Sequence, residues 1–215
     1  MKIQLAILAS LIALFTSGCV SGRRTIPLDV PTQASYPPIK GTLYLAPVTV
    51  DGRVFLNNPS DPAIASIDGD VTRITPTQKA SMISRQRNTY GQMMGDVALP
   101  EGDSVLKVSQ KLFEESLKRR GYALSTDSAL ANSATLSIDE FWAWSTTGFF
   151  SIAFEARVQY SIILKHSNTS TQTVIKGYGL NHGQMASDAN WQLAYHRAFE
   201  DFLIQSDSEL QKAGL

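Results

Sequence analysis

The sequence contains few of the residues that build most catalytic and metal sites. It has one cysteine and three histidines among 215 residues. A single cysteine excludes an intramolecular disulfide and leaves few ligands for a zinc site. The charges show no excess of either sign, since 19 Lys and Arg balance 19 Asp and Glu. Without the basic field that binds a phosphate backbone, we expect no nucleic-acid partner, and we also expect no bound metal.

The sequence also lacks the spacing of common catalytic motifs. Neither His-x-x-Glu-His nor Gly-x-Ser-x-Gly occurs, and none of His166, His182 and His196 has a cysteine partner. Asp139 and Glu140 are adjacent in a predicted strand, where consecutive side chains point to opposite faces. We therefore predict that the protein is not an enzyme, and we assign it no catalytic residue.

Residues 1–18 are predicted to be a signal peptide. Lys2 gives a positive start, and residues 3–15 then form an uncharged apolar run. This run of about 13 residues is shorter than the roughly 20 that a bilayer-spanning helix needs, and it matches the core of a secretory signal. The alternative is an uncleaved N-terminal helix.

The signal peptide leads directly into the one cysteine of the chain. The stretch Phe15-Thr16-Ser17-Gly18-Cys19 resembles the lipobox of bacterial lipoproteins, with Thr16 where that motif usually has Leu. The resemblance implies cleavage after Gly18, a diacylglycerol on the Cys19 sulfur and an acyl chain such as palmitate on the new amine. Several acyl chains hold a protein stably on a membrane. Apart from this covalent lipid, we expect no cofactor. Val20, not Asp, follows Cys19, and by resemblance to enterobacterial lipoproteins this implies the outer membrane, with the domain facing the periplasm.

The residues after the lipid anchor are predicted to form a tether. Four of the nine prolines fall within residues 19–40, which show no apolar periodicity. Such a composition favours an extended, semi-rigid chain that holds a domain away from the bilayer. Residues 41–215 are then expected to form a single periplasmic domain.

This domain is predicted to contain four strands and two long helices. Residues 42–50 are rich in β-branched and aromatic side chains and predict a first strand. A helix begins at the Ser104 cap and ends at Lys118-Arg119-Arg120-Gly121, where cations face the negative helix end and glycine favours a left-handed cap. The other predicted elements are strands over residues 135–144, 151–165 and 171–180 and a last helix from Ser187 or Asp188.

The strand patterns predict how these elements pack. Residues 151–165 alternate between apolar even positions and mostly polar odd positions, which is typical of an antiparallel sheet with one buried face. The same reasoning places Leu136, Ile138, Trp142 and Trp144 on one face of their strand and Val174, Tyr178 and Leu180 on one side of theirs. We therefore predict an α+β two-layer sandwich, in which about four antiparallel strands carry two helices on one face in the order β-α-β-β-β-α.

Residues 51–102 form a long insert between the first strand and the first helix. Thr75-Pro76-Thr77-Gln78 resembles a capping box and predicts a short helix that continues to about Arg87. The insert also contains Arg85, Arg87, Asn88 and Tyr90, and Arg and Tyr are residue types that anchor interfaces, so these four are candidate partner-binding residues. The alternative is a solvated helix end.

Four aromatic residues surround the turn after the second predicted strand. Trp142, Trp144, Phe149 and Phe150 are candidates for the rim of an apolar ligand site. The alternative interpretation is a corner of the hydrophobic core.

Three motifs carry a family resemblance: the lipobox, Lys118-Arg119-Arg120-Gly121-Tyr122, and the strand with Tyr160 followed by Lys176-Gly177-Tyr178. Through them the chain resembles the YajG-like group of Gram-negative lipoproteins over about residues 104–210. The resemblance implies no catalytic residues. We expect a lipid-anchored accessory module that tethers or supports an envelope assembly through unknown envelope proteins, and self-association is left open. The alternative is a carrier or chaperone of an amphiphile, such as a phospholipid or lipopolysaccharide.

Overall fold

A computed structural model describes residues 22–67, 69–166 and 169–215 of the chain. The predicted signal peptide and Cys19 lie outside the described residues. Within them, nine strands form one mixed sheet, accompanied by three α-helices and a short 3-10 helix over Val71–Arg73. The helices are α1 (Pro76–Ser81), α2 (Val105–Arg119) and α3 (Asp188–Lys212). The strands are β1 (Arg24–Thr25), β2 (Gly41–Leu45), β3 (Val50–Asp51), β4 (Met82–Arg87), β5 (Met93–Ala98), β6 (Tyr122–Ser125), β7 (Asn132–Thr147), β8 (Ile152–His166) and β9 (Thr169–Gly183).

The predicted four-stranded two-layer sandwich was wrong, because the fold is mostly sheet. The sequence pattern detected β2 and the three long strands β7, β8 and β9, but it joined β2 and β3 into one strand over residues 42–50 and missed β1, β4, β5 and β6. These strands are only two to six residues long. A segment this short shows too few alternations for a period of two to stand out, and only pairing with distant strands makes it a strand.

Strand β7 is the hub of the sheet. One edge of β7 pairs antiparallel with β8 along its whole length, and β8 pairs in the same way with β9. The other edge pairs in succession with β2, β3 and β4, all parallel to β7. The sheet therefore divides at β7 into one branch that continues through β2 to β6 and another that continues through β4 and β5 to β1.

Helices α2 and α3 cover one face of the sheet and form the main core with it. The predicted cap of α2 is confirmed, since the Ser104 hydroxyl accepts a hydrogen bond from the Lys107 amide at 3.2 Å, and Gly121 has a φ of +79°. The predicted even positions of β8, from 154 to 164, are buried in this core, whereas Ile152 at its start is half-buried. Helix α3 buries the predicted aromatic face, and the Tyr195 hydroxyl donates to the Ile83 carbonyl at 2.6 Å. This bond joins α3 to β4 across the core.

Part of the insert covers the opposite face of β7. Trp142 and Trp144 pack there with Ala65, Ile67, Met82 and Ala98 in a second apolar cluster. Their predicted position on the same face as Leu136 and Ile138 was wrong. A β-bulge between Ile138 and Glu140 adds one residue to β7 and thereby reverses the alternation of every side chain that follows.

The rest of the insert contributes strands to the sheet. The predicted capping box at Thr75 is confirmed, since the Thr75 hydroxyl accepts from the Gln78 amide and the Gln78 side chain accepts from the Thr75 amide. The helix ends at Ser81 instead of near Arg87, and β4 begins at the next residue. Pairing of β4 with both β5 and β7 outweighs the local helical signal here.

The predicted tether lies against the domain from Gly22 onward. Ile26 is completely buried in the main core, and its amide donates to the Ala98 carbonyl at 2.9 Å. Further along, the Tyr36 hydroxyl donates to the Glu115 carboxylate of α2 at 2.7 Å, and this bond helps to raise the pKa of Tyr36. A proline-rich composition predicted an extended chain, but these contacts with distant residues attach it to the surface.

Candidate functional site

The two predicted partner-binding arginines hold the insert in place. Arg85 is only 4% exposed, donates a hydrogen bond to the Ile67 carbonyl and lies 3.8 Å from the Asp96 carboxylate. Arg87 is half-buried and donates to the Pro59 carbonyl at 2.7 Å, and burial lowers the pKa of its guanidinium. The structure therefore gives both side chains contacts within the protein.

Asn88 and Tyr90 form the turn between β4 and β5. The Asn88 side-chain oxygen accepts from the amides of Tyr90 at 3.0 Å and Gln92 at 2.9 Å, which fixes the turn. Tyr90 projects from the turn into solvent. Of the four candidates, Tyr90 is the one whose side chain is free to meet a partner.

The four predicted rim aromatics do not come together. Trp142 lies under the insert, where its indole N–H donates to the Pro62 carbonyl at 3.1 Å and Phe55 packs edge-on at 5.7 Å. Trp144 is buried beside it. Phe149 and Phe150 stand exposed on the β7–β8 turn and contact each other at a ring distance of 4.6 Å. The tryptophans therefore match the core alternative, and the phenylalanines belong to a separate surface.

Three strands share a polar network on the side of the sheet opposite the helices. The Glu155 carboxylate accepts from the Trp144 indole at 3.1 Å and from the Tyr178 hydroxyl at 2.6 Å. Partial burial and this bond raise the pKa of Tyr178 to about 12. The Arg157 guanidinium stacks 4.5 Å from the Trp144 ring centre. These contacts lock the neighbouring side chains of β7, β8 and β9 into fixed positions.

The same side of β8 and β9 exposes an apolar stripe that the insert does not cover. We call it the outer sheet face, and it consists of Ile163, Val174, Tyr178 and Leu180, which are 37–44% exposed. Ile163 and Val174 are diagonal neighbours, because Val174 pairs with Ser161, two residues before Ile163. The sequence placed the last three on one side of β9, as observed, but that side faces outward.

The free edge of β9 is protected by α3. The Tyr178 amide donates to the Asp201 carboxylate at 2.9 Å, and the Arg197 guanidinium donates to the Leu180 carbonyl at 2.5 Å. Edge groups satisfied in this way are not available to pair with another strand. The outer sheet face is therefore better suited to a partner than the edge of the sheet.

A second exposed apolar surface lies where several strands end. We call it the tip end, and it consists of Tyr90, Phe149, Phe150 and Met185, which are 89%, 93%, 82% and 68% exposed. The sequence singled out the first three for other roles and missed Met185. Only the strand register shows that these residues share one end of the molecule.

Several clefts open on the described surface. One of about 700 Å³ lies between β1, α1 and the turn before α2, with Arg23, Leu99 and Leu106 among its walls. Another of about 340 Å³ lies between the insert and β7. Asp139 and Glu140 were expected to point to opposite faces of the strand, but the bulge turns both side chains toward this cleft. The Asp139 carboxylate accepts from the Ser161 hydroxyl at 2.7 Å, a bond that ties it to β8.

The described residues contain neither a group of metal ligands nor a membrane-spanning helix. No three His, Cys, Asp or Glu side chains gather there as metal ligands. Nor does any helix in residues 22–67, 69–166 and 169–215 combine the length and apolarity needed to cross a membrane.

No family model and no curated protein match this sequence. Among solved structures, protein XCC0632 from Xanthomonas campestris, described under the family model DUF330, is 10% identical, with 89% of this chain and 96% of that chain covered at a TM-score of 0.45. A crystal structure titled only as an uncharacterized protein is also 10% identical, with 90% and 99% covered at a TM-score of 0.38. Similarity at this level does not establish a shared fold or a function.

Proposed function

We propose that the protein is a lipid-anchored, non-enzymatic accessory module that supports an envelope assembly on the periplasmic face of the outer membrane. The lipobox-like sequence and the resemblance to YajG-like lipoproteins support the anchor. The observation that carries the proposal is the position of Gly22, whose amide donates to the Met94 carbonyl at 3.1 Å at the start of the folded domain. Only Val20 and Ser21 separate it from Cys19.

This short connection limits how far the domain can move from the membrane. Three peptide steps of about 3.5 Å each reach about 10 Å, so an anchor on Cys19 holds Gly22 near the headgroups. Arg24 and Thr25 then pair with Val97 and Ala98, which makes the attachment part of the sheet. A domain held this closely is suited to act in place as a platform, and less suited to shuttle between membranes.

The outer sheet face is the surface that we assign to the partner. Its apolar side chains lie on two long, regularly paired strands, and the Glu155 network holds Tyr178 in one orientation. A rigid, partly apolar surface loses little conformational entropy when a protein docks on it. The proposed partner is an envelope protein. The test must distinguish it from a second copy of this chain.

In-cell photocrosslinking of the full-length lipoprotein tests this assignment. A photoreactive residue at Val174 should yield a discrete protein adduct, whereas one at Ile204, an exposed apolar residue of α3, should not. Mass spectrometry of the adduct separates a different envelope protein from a second copy. Equal labelling at both positions, or no protein adduct at Val174, would contradict the proposed surface.

A second candidate function is the handling of an amphiphile, and the cleft beside β1 favours it. The cleft combines the Arg23 guanidinium with apolar walls from Leu99 and Leu106, and its volume of about 700 Å³ suits a small ligand. Native mass spectrometry of protein extracted from membranes should then show a bound lipid. The variant Ala80→Trp, which fills the cleft, should lose that lipid, while Lys176→Ala on β9 keeps it. Lipid-free wild-type protein would argue against this function.

A further inference from the structure

The parallel pairing of β4 and β7 makes two hairpins point the same way. Ser84 of β4 lies opposite Ala143 of β7. Each strand continues in the same direction for a few residues before it turns, β4 into the loop with Tyr90 and β7 into the loop with Phe149 and Phe150. Both turns therefore lie at the same end of the sheet.

Strand β9 brings a third loop to this end. Gly183, its last residue, pairs with Ile152, the first residue of β8 after the β7–β8 turn. Met185 lies two residues further along the chain, and its carbonyl accepts from the Asn190 side chain at 2.9 Å. Three separate loops thus place exposed apolar side chains at the tip end.

The N-terminal chain enters the described part of the protein from the same end. Strand β1 is parallel to β5, with Arg24 opposite Val97, so the residues before Arg24 run back toward the start of β5 and the Tyr90 loop. Arg24 also forms an ion pair with Asp188 at 3.2 Å and donates to the Ala186 carbonyl, next to Met185. The entering chain and the Met185 loop are therefore neighbours.

From this arrangement we infer that the tip end inserts its exposed side chains into the headgroup region of a lipid bilayer. The inference rests on the proposed lipid anchor, which lies at most a few residues from the tip end and brings that end to the membrane. Phe, Tyr and Met gain free energy at the boundary between water and acyl chains, and aromatic rings favour this depth in particular. Single exposed apolar residues are common on any surface, but four on three loops beside a membrane anchor form one coherent surface.

The lipid anchor and the tip end have different roles at the membrane. The acyl chains on Cys19 keep the protein on the membrane, and the tip end sets its orientation. With the tip end down, strands β7, β8 and β9 extend away from the bilayer. The outer sheet face is then accessible from the side, to a protein in the same membrane region.

Fluorescence depth measurement on the full-length acylated protein tests the inference. The Cys19 sulfur is expected to be in a thioether, so a cysteine introduced by Phe149→Cys or Tyr90→Cys is the thiol that takes a polarity-sensitive fluorophore. The protein is reconstituted in vesicles of phosphatidylethanolamine and phosphatidylglycerol that contain lipids with a nitroxide near the headgroup. Ile39→Cys is the matched control, because Ile39 is apolar and exposed but precedes β2, which pairs with the start of β7 at the opposite end.

We expect nitroxide quenching of about twofold or more at positions 149 and 90 and little at position 39, because quenching requires contact at the headgroup depth. In a second protein labelled through Met185→Cys, the pair Phe149→Ser and Phe150→Ser should reduce quenching, since removal of the aromatic side chains weakens insertion of the whole end. Quenching that is absent at position 149, or equal at positions 149 and 39, would overturn the inference. Unchanged quenching at position 185 in the serine variant would also overturn it.

The same experiment separates this inference from the proposed function. Fluorophore labelling of the wild-type chain would show a free Cys19 thiol and would contradict the lipid anchor itself. Acylated protein without quenching at the tip end would leave the anchor and the Val174 crosslink in place and would reject only the orientation.

Discussion

A Cβ atom at Gly177 would lie 2.2 Å from the carbonyl oxygen of Ala198, far inside the contact distance of these atoms. A Cβ atom at Gly179 would lie 2.1 Å from the Ala194 carbonyl oxygen. The backbone of α3 therefore rests directly on β9, and only glycine fits on the inner side of the strand at these two positions. This contact turns Tyr178 and Leu180 outward and so creates the outer sheet face.

Replacing Gly177 by alanine should destabilise the fold. The added methyl group must push α3 away from β9, and overpacking of this kind costs typically about 1–3 kcal/mol and sometimes more. Urea unfolding should show a lower midpoint with an unchanged slope. Lys176→Ala is the matched control on the exposed side of the same strand, and we expect a change within about 0.5 kcal/mol. Equal stability of the two variants would show that the helix does not pack as described.

Arg53 should hold the insert over β7. Its buried guanidinium binds both oxygens of the Asp51 carboxylate, at 2.9 and 2.8 Å, and donates to the Met82 carbonyl at 2.6 Å. Arg53→Met leaves Asp51 without this partner, and breaking a buried ion pair costs about 3–5 kcal/mol.

Hydrogen exchange can show whether the loss of stability in Arg53→Met is confined to the insert. In Arg53→Met, amides of residues 54–67 should exchange faster, while those of β8 should change less. Arg73→Met is the control, because Arg73 is exposed and its distance of 3.7 Å to Asp70 is typical of a weak surface pair. Uniformly faster exchange would indicate global unfolding and would argue against a local role.

Stability should decrease in alkaline solution because folding raises the pKa of three tyrosines. Burial raises the pKa of both Tyr160 and Tyr195 above the ordinary value, and partial burial with the bond to Glu155 raises the pKa of Tyr178 to about 12. The folded state therefore holds these phenol protons more tightly than the unfolded state. Their contribution is complete below the unfolded pKa of about 10 and is lost as the pH rises through that value toward the folded pKa.

Tyr195→Phe distinguishes this effect from general alkaline damage. The variant loses the hydrogen bond to the Ile83 carbonyl, so at neutral pH we expect it to be about 1–2 kcal/mol less stable. It should then lose less stability than the wild type between about pH 9 and pH 11, as followed by unfolding and phenolate absorbance. Tyr90→Phe, at an exposed ring, is the control. A parallel decrease in Tyr195→Phe and the wild type would contradict the assignment.

Replacing Cys19 should abolish membrane anchoring by lipid. Cys19→Ser removes the sulfur that the lipobox resemblance assigns to diacylglycerol, so incorporation of labelled palmitate should cease and the unprocessed chain should accumulate. Ser21→Ala, two residues away, is the control and should be acylated normally. Acylation of Cys19→Ser would disprove the proposed anchor.

Local patterns in the sequence determined the strongly periodic elements. The Ser104 cap and Gly121 delimit α2, the alternation of residues 151–165 defines β8, and Thr75 caps α1, because each signal depends on neighbours within a few residues. The Cys19 lipobox is equally local, and its function stays a prediction. Of the candidate partner-binding residues, the sequence found the exposed Tyr90, but it did not distinguish that residue from the buried Arg85.

Only the tertiary structure decided the remaining features, because each depends on residues far apart in the chain. The short strands exist through pairing with distant strands, and the bulge before Glu140 moves Trp142 and Trp144 to the other face of β7. Contacts with β5 and α2 convert the predicted tether into part of the domain. The register between β4 and β7 brings Tyr90 to the same end as Phe149, which residue types and spacing alone do not encode.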